Sequence, residues 1–174
     1  PFTFAATESF AQTAYVSTVN ELNDALHKAN KIGGNTDIVL SDGQYQINQR
    51  LRIIGSHIQL RSASGDSSTV ILSGQGMKKS RSVEVLIDVN GSHTSLSGFT
   101  LEKSANHLIQ VRAENDADSF SLSNCVLRDS YEQLLKVSAS HQKGASYAND
   151  GHIENCLFEY SAGIGPQYYI GGID

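Results

Sequence analysis

A few polar residues recur at matching places in a repeated strand pattern and could act together. The segments Ile87-Asp-Val-Asn90, Ile109-Gln-Val-Arg112, Leu135-Lys-Val-Ser138 and Gly171-Gly-Ile-Asp174 alternate between two faces, which is a strand signal. Ile87, Val89, Ile109, Val111, Leu135, Val137, Gly171 and Ile173 take the inward places. The outward places form one column of Asp88, Gln110, Lys136 and Gly172 and a second of Asn90, Arg112, Ser138 and Asp174. Stacked strands lie about 4.8 Å apart, so members of a column are direct neighbours. A lysine crowded by like charge or stripped of water can accept a proton, and an arginine beside it can neutralise a substrate carboxylate. Lys136 and Arg112 are therefore the candidate catalytic pair. Asp88, Gln110 and Asp174 are candidate substrate ligands, and Tyr168 and Tyr169 offer a stacking surface at the end of the row. The plainer reading, polar residues on a solvated strand face, uses the same side chains.

The elements that would position these residues come from a repeat. Leu96–Ser104, Leu122–Ser130 and Ile153–Ser161 superpose place by place, with Phe99, Cys125 and Cys156 in one column and Leu101, Leu127 and Phe158 in another. The second copy begins 26 residues after the first and the third 31 after the second. Repeats in this size range indicate solenoids or propellers, and period-two alternation within each copy points to stacked strand coils. Three strands per coil are expected from Glu84 onward.

Ahead of the coils, residues 1–16 show no clear period and read as an irregular lead-in. A helix is predicted over 17–32. Thr18 and Glu21 fit a capping box, Val19, Leu22, Ala25, Leu26 and Ala29 give one apolar face, and Gly33 and Gly34 end it. Such a helix would cover the open first coil. Strand signals follow at Asp37–Leu40, Gln44–Ile47, Leu51–Ile53, His57–Arg61 and Thr69–Leu72, and 36–174 reads as one set of coils in a single domain.

Other groupings read as structural. Gly98, Asn124 and Asn155 share a turn place where side-chain amides can stack in a ladder. Cys125 and Cys156 are expected as buried free thiols on adjacent coils. Glu102, Arg128 and Glu159 form an outward column of alternating sign, expected to be exposed and to set register. His57 and His93 fall in one column as a surface pair, while His27, His107, His141 and His152 form no pattern.

Composition excludes several classes. A net charge of −5 leaves no electrostatic footprint for a nucleic-acid partner. No stretch of 18 apolar residues exists, so no helix is predicted to span a membrane. Trp is absent, Pro occurs only 2 times, and Gly numbers 15, as suits strands and turns. The chain starts with Pro1, which suggests that any leader is already gone.

Taken together, the helix, "IVLSDGQYQI", "IQLRSASGDSSTVILSG" and the coils carrying "NC" before an apolar strand resemble the pectate-lyase-like right-handed parallel β-helix proteins. The stretch "EYSAGIGPQYYIGGID" is similar to bacterial β-helix repeat proteins. The resemblance implies an all-β, right-handed, single-stranded parallel β-helix with an N-terminal capping α-helix. It also implies a carbohydrate-active protein that is secreted, extracellular or periplasmic. In the alginate and chondroitin lyases of that type a Lys and an Arg on neighbouring coils act on an acidic polysaccharide by β-elimination. Lys136 and Arg112 stand on neighbouring coils but match no family motif. The resemblance assigns no definite cofactor and leaves calcium open, since lyases of this type hold it with acidic side chains. Asp88 and Asp174 are too far apart in coil count to pair around one ion. The alternative is a non-catalytic module that binds glycan or builds an assembly. Proteins of this type are longer, so the chain reads as an N-terminal piece whose open last coil could make end-to-end contact.

Overall fold

Period-two strands and a capped helix do form where the patterns place them. A computed structural model describes residues 10–78, 83–139, 146–161, 163 and 171–174. Among these, β1 (Gln12–Val16) and α1 (Val19–Lys31) precede five coils. The first coil holds β2 (Gly34–Leu40), β3 (Gly43–Gln46) and β4 (Leu51–Ile53), and the second β5 (Ser56–Ser62), β6 (Val70–Ser73) and β7 (Val85–Val89). The third holds β8 (Ser95–Ser97), β9 (Thr100–Ser104) and β10 (His107–Arg112). The fourth holds β11 (Ser121–Ser123), β12 (Val126–Ser130) and β13 (Gln133–Ser138), and the fifth β14 (His152–Glu154), β15 (Leu157–Glu159) and β16 (Gly171–Ile173).

Each strand pairs in parallel with its counterpart one coil away. The first sheet runs β1-β2-β5-β8-β11-β14, the second β3-β6-β9-β12-β15 and the third β4-β7-β10-β13-β16. This is an all-β parallel β-helix with its helix at the N-terminus. One difference from the sequence reading lies in the lead-in. Residues 12–16 are a strand, paired with β2 from Gln12 against Thr36 to Val16 against Leu40. Only Val16 in it is buried, so the segment carries too few inward residues to show a period.

α1 begins where Thr18 and Glu21 cap one another: the Glu21 amide donates to Thr18 Oγ1 at 3.2 Å, and the Thr18 amide donates to Glu21 Oε2 at 3.1 Å. Leu22, Ala25, Leu26 and Ala29 are buried, and the helix packs on β1, β2 and β4. Burying each leucine is worth roughly 1.5–3 kcal/mol. The chain then leaves through Gly33 and Gly34, whose φ values of 89° and 112° favour glycine. A Cβ on Gly34 would lie 1.8 Å from the Ser56 carbonyl oxygen, so only glycine permits this stacking.

The interior is a continuous apolar column. Leu96 and Leu122 are buried in the first sheet, as are Leu72, Leu101 and Leu127 in the second and Ile87, Ile109 and Leu135 in the third. Phe99 and Cys125 are buried and Cys156 is partly so, and both cysteines are free. At the entry to the third sheet alternation fails. Leu86 and Ile87 both join the core, as do Leu108 and Ile109, and Leu134 and Leu135. A strand of strict period two cannot place two successive side chains on one face, so the three coils share the same local departure from alternation. Between the first and second sheets, Gly98, Asn124 and Asn155 take φ of 75°, 53° and 51°. That is the left-handed turn that glycine and asparagine tolerate best.

Candidate functional site

The outward face of the third sheet carries most of the candidate residues. Registers confirm their stacking: Asp88 beside Gln110, Gln110 beside Lys136, and Arg112 beside Ser138. The same column begins one coil earlier, with Arg52 beside Asp88. Arg52 and Arg50, just ahead of β4, were not among the residues expected. The alternation at Leu51–Ile53 already placed Arg52 outward. The long, uneven loops between β4 and β7 concealed that it lies next to Asp88.

Asp88 organises the group. Its side chain is 5% exposed and three guanidinium groups face it. Arg112 Nε donates to Oδ1 at 2.6 Å, Arg50 Nη1 donates to Oδ2 at 3.4 Å, and Arg52 Nε lies 3.9 Å from Oδ2. Arg112 also reaches Glu114 at 3.5 Å, and Ser138 Oγ donates to the other Glu114 oxygen at 2.6 Å. Burial alone would raise the Glu114 carboxyl. The Ser138 hydroxyl, its own backbone amide and the Arg112 charge outweigh this and hold it below the ordinary value. Asn115 donates to Asn90 at 2.7 Å. Ser138 aside, these residues and Ile54 line an open groove of about 400 Å3. Three arginines against two carboxylates leave it positive on a chain of net charge −5.

Lys136 stands outside that groove. It ion-pairs with Asp174, which holds the Asp174 carboxyl below its ordinary range through hydrogen bonding and charge. This corrects the expected register. Gly171 pairs with Gln133 and Ile173 with Leu135, so Asp174 comes beside Lys136 and not beside Ser138. The two glycines carry no side chain, and Ile173 alone fits either inward place, so the alignment slipped by one period. Tyr168 and Tyr169 lie outside the described residues.

His107, for which the sequence showed no pattern, heads β10 in this sheet and is buried. Its Nδ1 lies 3.2 Å from the Gln133 carbonyl oxygen and its Nε2 3.9 Å from a Glu132 carboxylate oxygen. Burial pushes the imidazole down, against the raising influence of both neighbours.

Asp88 is not free to hold calcium. Both oxygens of Asp88 are turned to arginines, and among the described residues no three His, Cys, Asp or Glu side chains converge as ligands. Elsewhere, His57 and His93 stack with ring centroids 4.3 Å apart and planes 7° apart. The Glu102 column differs from expectation in exposure: Arg128 faces both Glu102 and Glu159, but Glu102 is buried. It accepts from Lys103 at 2.7 Å, Arg128 at 2.8 Å and Ser73 at 3.1 Å, and full satisfaction is what makes a buried carboxylate tolerable.

No protein-family model matches this sequence, and a comparison with curated proteins finds no match. Among solved structures the chain is similar to the crystal structure of an alginate lyase from Paenibacillus sp. str. FPU-7, with a TM-score of 0.57 and 18% identity. The match covers 92% of this chain and 61% of that one, so the chain spans less than two thirds of that lyase's length. What the two share is the fold, and the chain is a parallel β-helix of the kind found in that polysaccharide lyase.

Proposed function

We propose that this chain binds an acidic polysaccharide along the outward face of its third sheet, as part of a lyase that cleaves by β-elimination. The observation that carries this reading is the groove of Arg50, Arg52 and Arg112 around the buried Asp88. Planar guanidinium groups suit carboxylates in geometry as well as charge. Asp88 holds Arg112 in place, so little ordering remains when a uronate arrives. The fold likeness to an alginate lyase supports the same substrate class.

In this proposal the arginines neutralise the uronate carboxylate, which makes the adjacent C5 proton easier to remove. Lys136 lies one strand beyond Arg112; once substrate displaces Asp174 and the ammonium has given its proton to solvent, the free amine takes the C5 proton. The C4–C5 double bond then forms as the C4–O bond breaks, and the departing glycosidic oxygen takes a proton from solvent, giving an unsaturated uronide and a free hydroxyl end. Such polymers lie outside the cell, so action there belongs to the same proposal. A second reading has its own support: the Lys136–Asp174 pair engages the ammonium, which favours binding without turnover.

The test is incubation with alginate, polygalacturonate and chondroitin, following ultraviolet absorbance of the unsaturated product, with binding measured in parallel. Binding with product formation that Lys136→Ala abolishes supports the lyase. Binding without product supports the second reading, and binding to none of the three overturns both.

A further inference from the structure

Resting on the acidic-glycan reading, we propose that the capping helix carries a subsite of the same cleft. A glycan chain held by the arginines then continues off the coils onto α1. A second cavity of about 240 Å3 lies between α1 and the first coil. Asn23, His27 and Asn30 line it from the helix, and Gln49, Arg50, Arg52 and Ile54 from the coil. The last three also line the arginine groove. The two cavities are therefore adjoining parts of one furrow that crosses the strands along the stacking direction of the coils.

The helix divides its work by face. Leu22, Ala25, Leu26 and Ala29 are buried and do the capping. Asn23, His27 and Asn30 follow one another at i, i+4 and i+7, a continuous stripe beside that apolar one. Asn30 fixes the junction. Its Nδ2 donates to the Arg52 carbonyl at 2.8 Å, while its Oδ1 accepts from the amides of Ile54 at 2.8 Å and Gly55 at 3.1 Å. The two cavities thus keep one relative position, as a site for an extended ligand requires.

The chemistry also divides. The coil half presents guanidinium groups for carboxylates, whereas the helix half adds the Asn23 amide and the His27 imidazole, which suit hydroxyls. Between them Ile54 is 56% exposed, an aliphatic surface in a polar furrow, and the C–H face of a pyranose ring is its natural complement. The occupant with carboxylates, hydroxyls and apolar ring faces in regular alternation is a uronate oligosaccharide longer than one cavity.

The experiment is isothermal titration with size-graded oligouronates, disaccharide to hexasaccharide, prepared from alginate and from polygalacturonate. Affinity is expected to rise with length. His27→Ala and Asn23→Ala are each expected to weaken the hexasaccharide about threefold to tenfold, the loss of one hydrogen bond, and to leave the disaccharide unchanged. Arg112→Ala should weaken every length. Alanine favours helix, so both helix variants should melt with the parent. If they bind the hexasaccharide like the parent, or lose affinity equally at all lengths, the helix subsite is overturned while the glycan reading stands. If the parent binds no oligouronate of any length, both fall.

Discussion

Replacing Asp88 with asparagine removes the charge that gathers three arginines while keeping the side chain's size. The size of the effect follows from the contacts. Arg112 makes the one short bond, at 2.6 Å, and its side chain is 22% exposed; a charge-assisted bond of this kind is worth about 1.5–3 kcal/mol. Arg50 and Arg52 lie at 3.4 and 3.9 Å with side chains 31% and 61% exposed, so solvent screening limits each to ~0–1 kcal/mol. Asparagine still offers Arg112 one acceptor oxygen, which returns part of the loss. Asp88→Asn should therefore cost about 1–3 kcal/mol, read by urea denaturation, and should lower the melting temperature by roughly 3–10 °C. The variant also carries one more unit of positive charge in the groove, so polyuronate binding should depend more steeply on salt. A variant as stable as the parent, with the same salt dependence, would show that Asp88 does not organise the cluster.

Two other charged or reactive groups give clear expectations. Burial alone would raise the Glu102 carboxyl, but bonds from Lys103, Arg128 and Ser73 hold it below its ordinary value. Because the folded value is depressed, its stabilising contribution is present above the unfolded value of about 4.3 and is lost as pH falls through the folded one. Glu102→Gln should flatten acid unfolding in that window, and an unchanged acid profile would refute the argument. At the cysteines, the Cys125 thiol beside it pulls Cys156 below the ordinary thiol value, while the same hydrogen bond and burial push Cys125 up. Native alkylation should label Cys156 first, with a rate midpoint below that of a free thiol, and denaturation without reductant should yield two labels. Equal labelling of both thiols in the native protein, or a midpoint near the free-thiol value of about 8.5, would contradict this.

Local pattern made much of the fold legible in the sequence. Thr18 with Glu21, the apolar stripe of Leu22, Ala25, Leu26 and Ala29, and the glycines after it define the capping helix without tertiary information. The columns of Phe99 with Cys125 and of Leu101 with Leu127 follow because period-two alternation and short turns constrain each coil to its neighbour. So does the juxtaposition of Asp88, Gln110 and Lys136. Only the tertiary structure decided the rest. Arg52 lies beside Asp88 across a long interval of chain whose loop lengths no local rule sets. Asp174 meets Lys136 because stacking fixes a register that Gly171 and Gly172 leave open in the pattern. Glu102 is buried because Lys103, Arg128 and Ser73 close over it from two neighbouring coils and its own. The furrow onto α1 exists only once Asn30 locks the helix to Arg52–Gly55. In each case the sequence specifies which side of a strand or helix a residue faces. Which partner it meets depends on where the next coil comes to rest, a property of the stacked chain as a whole.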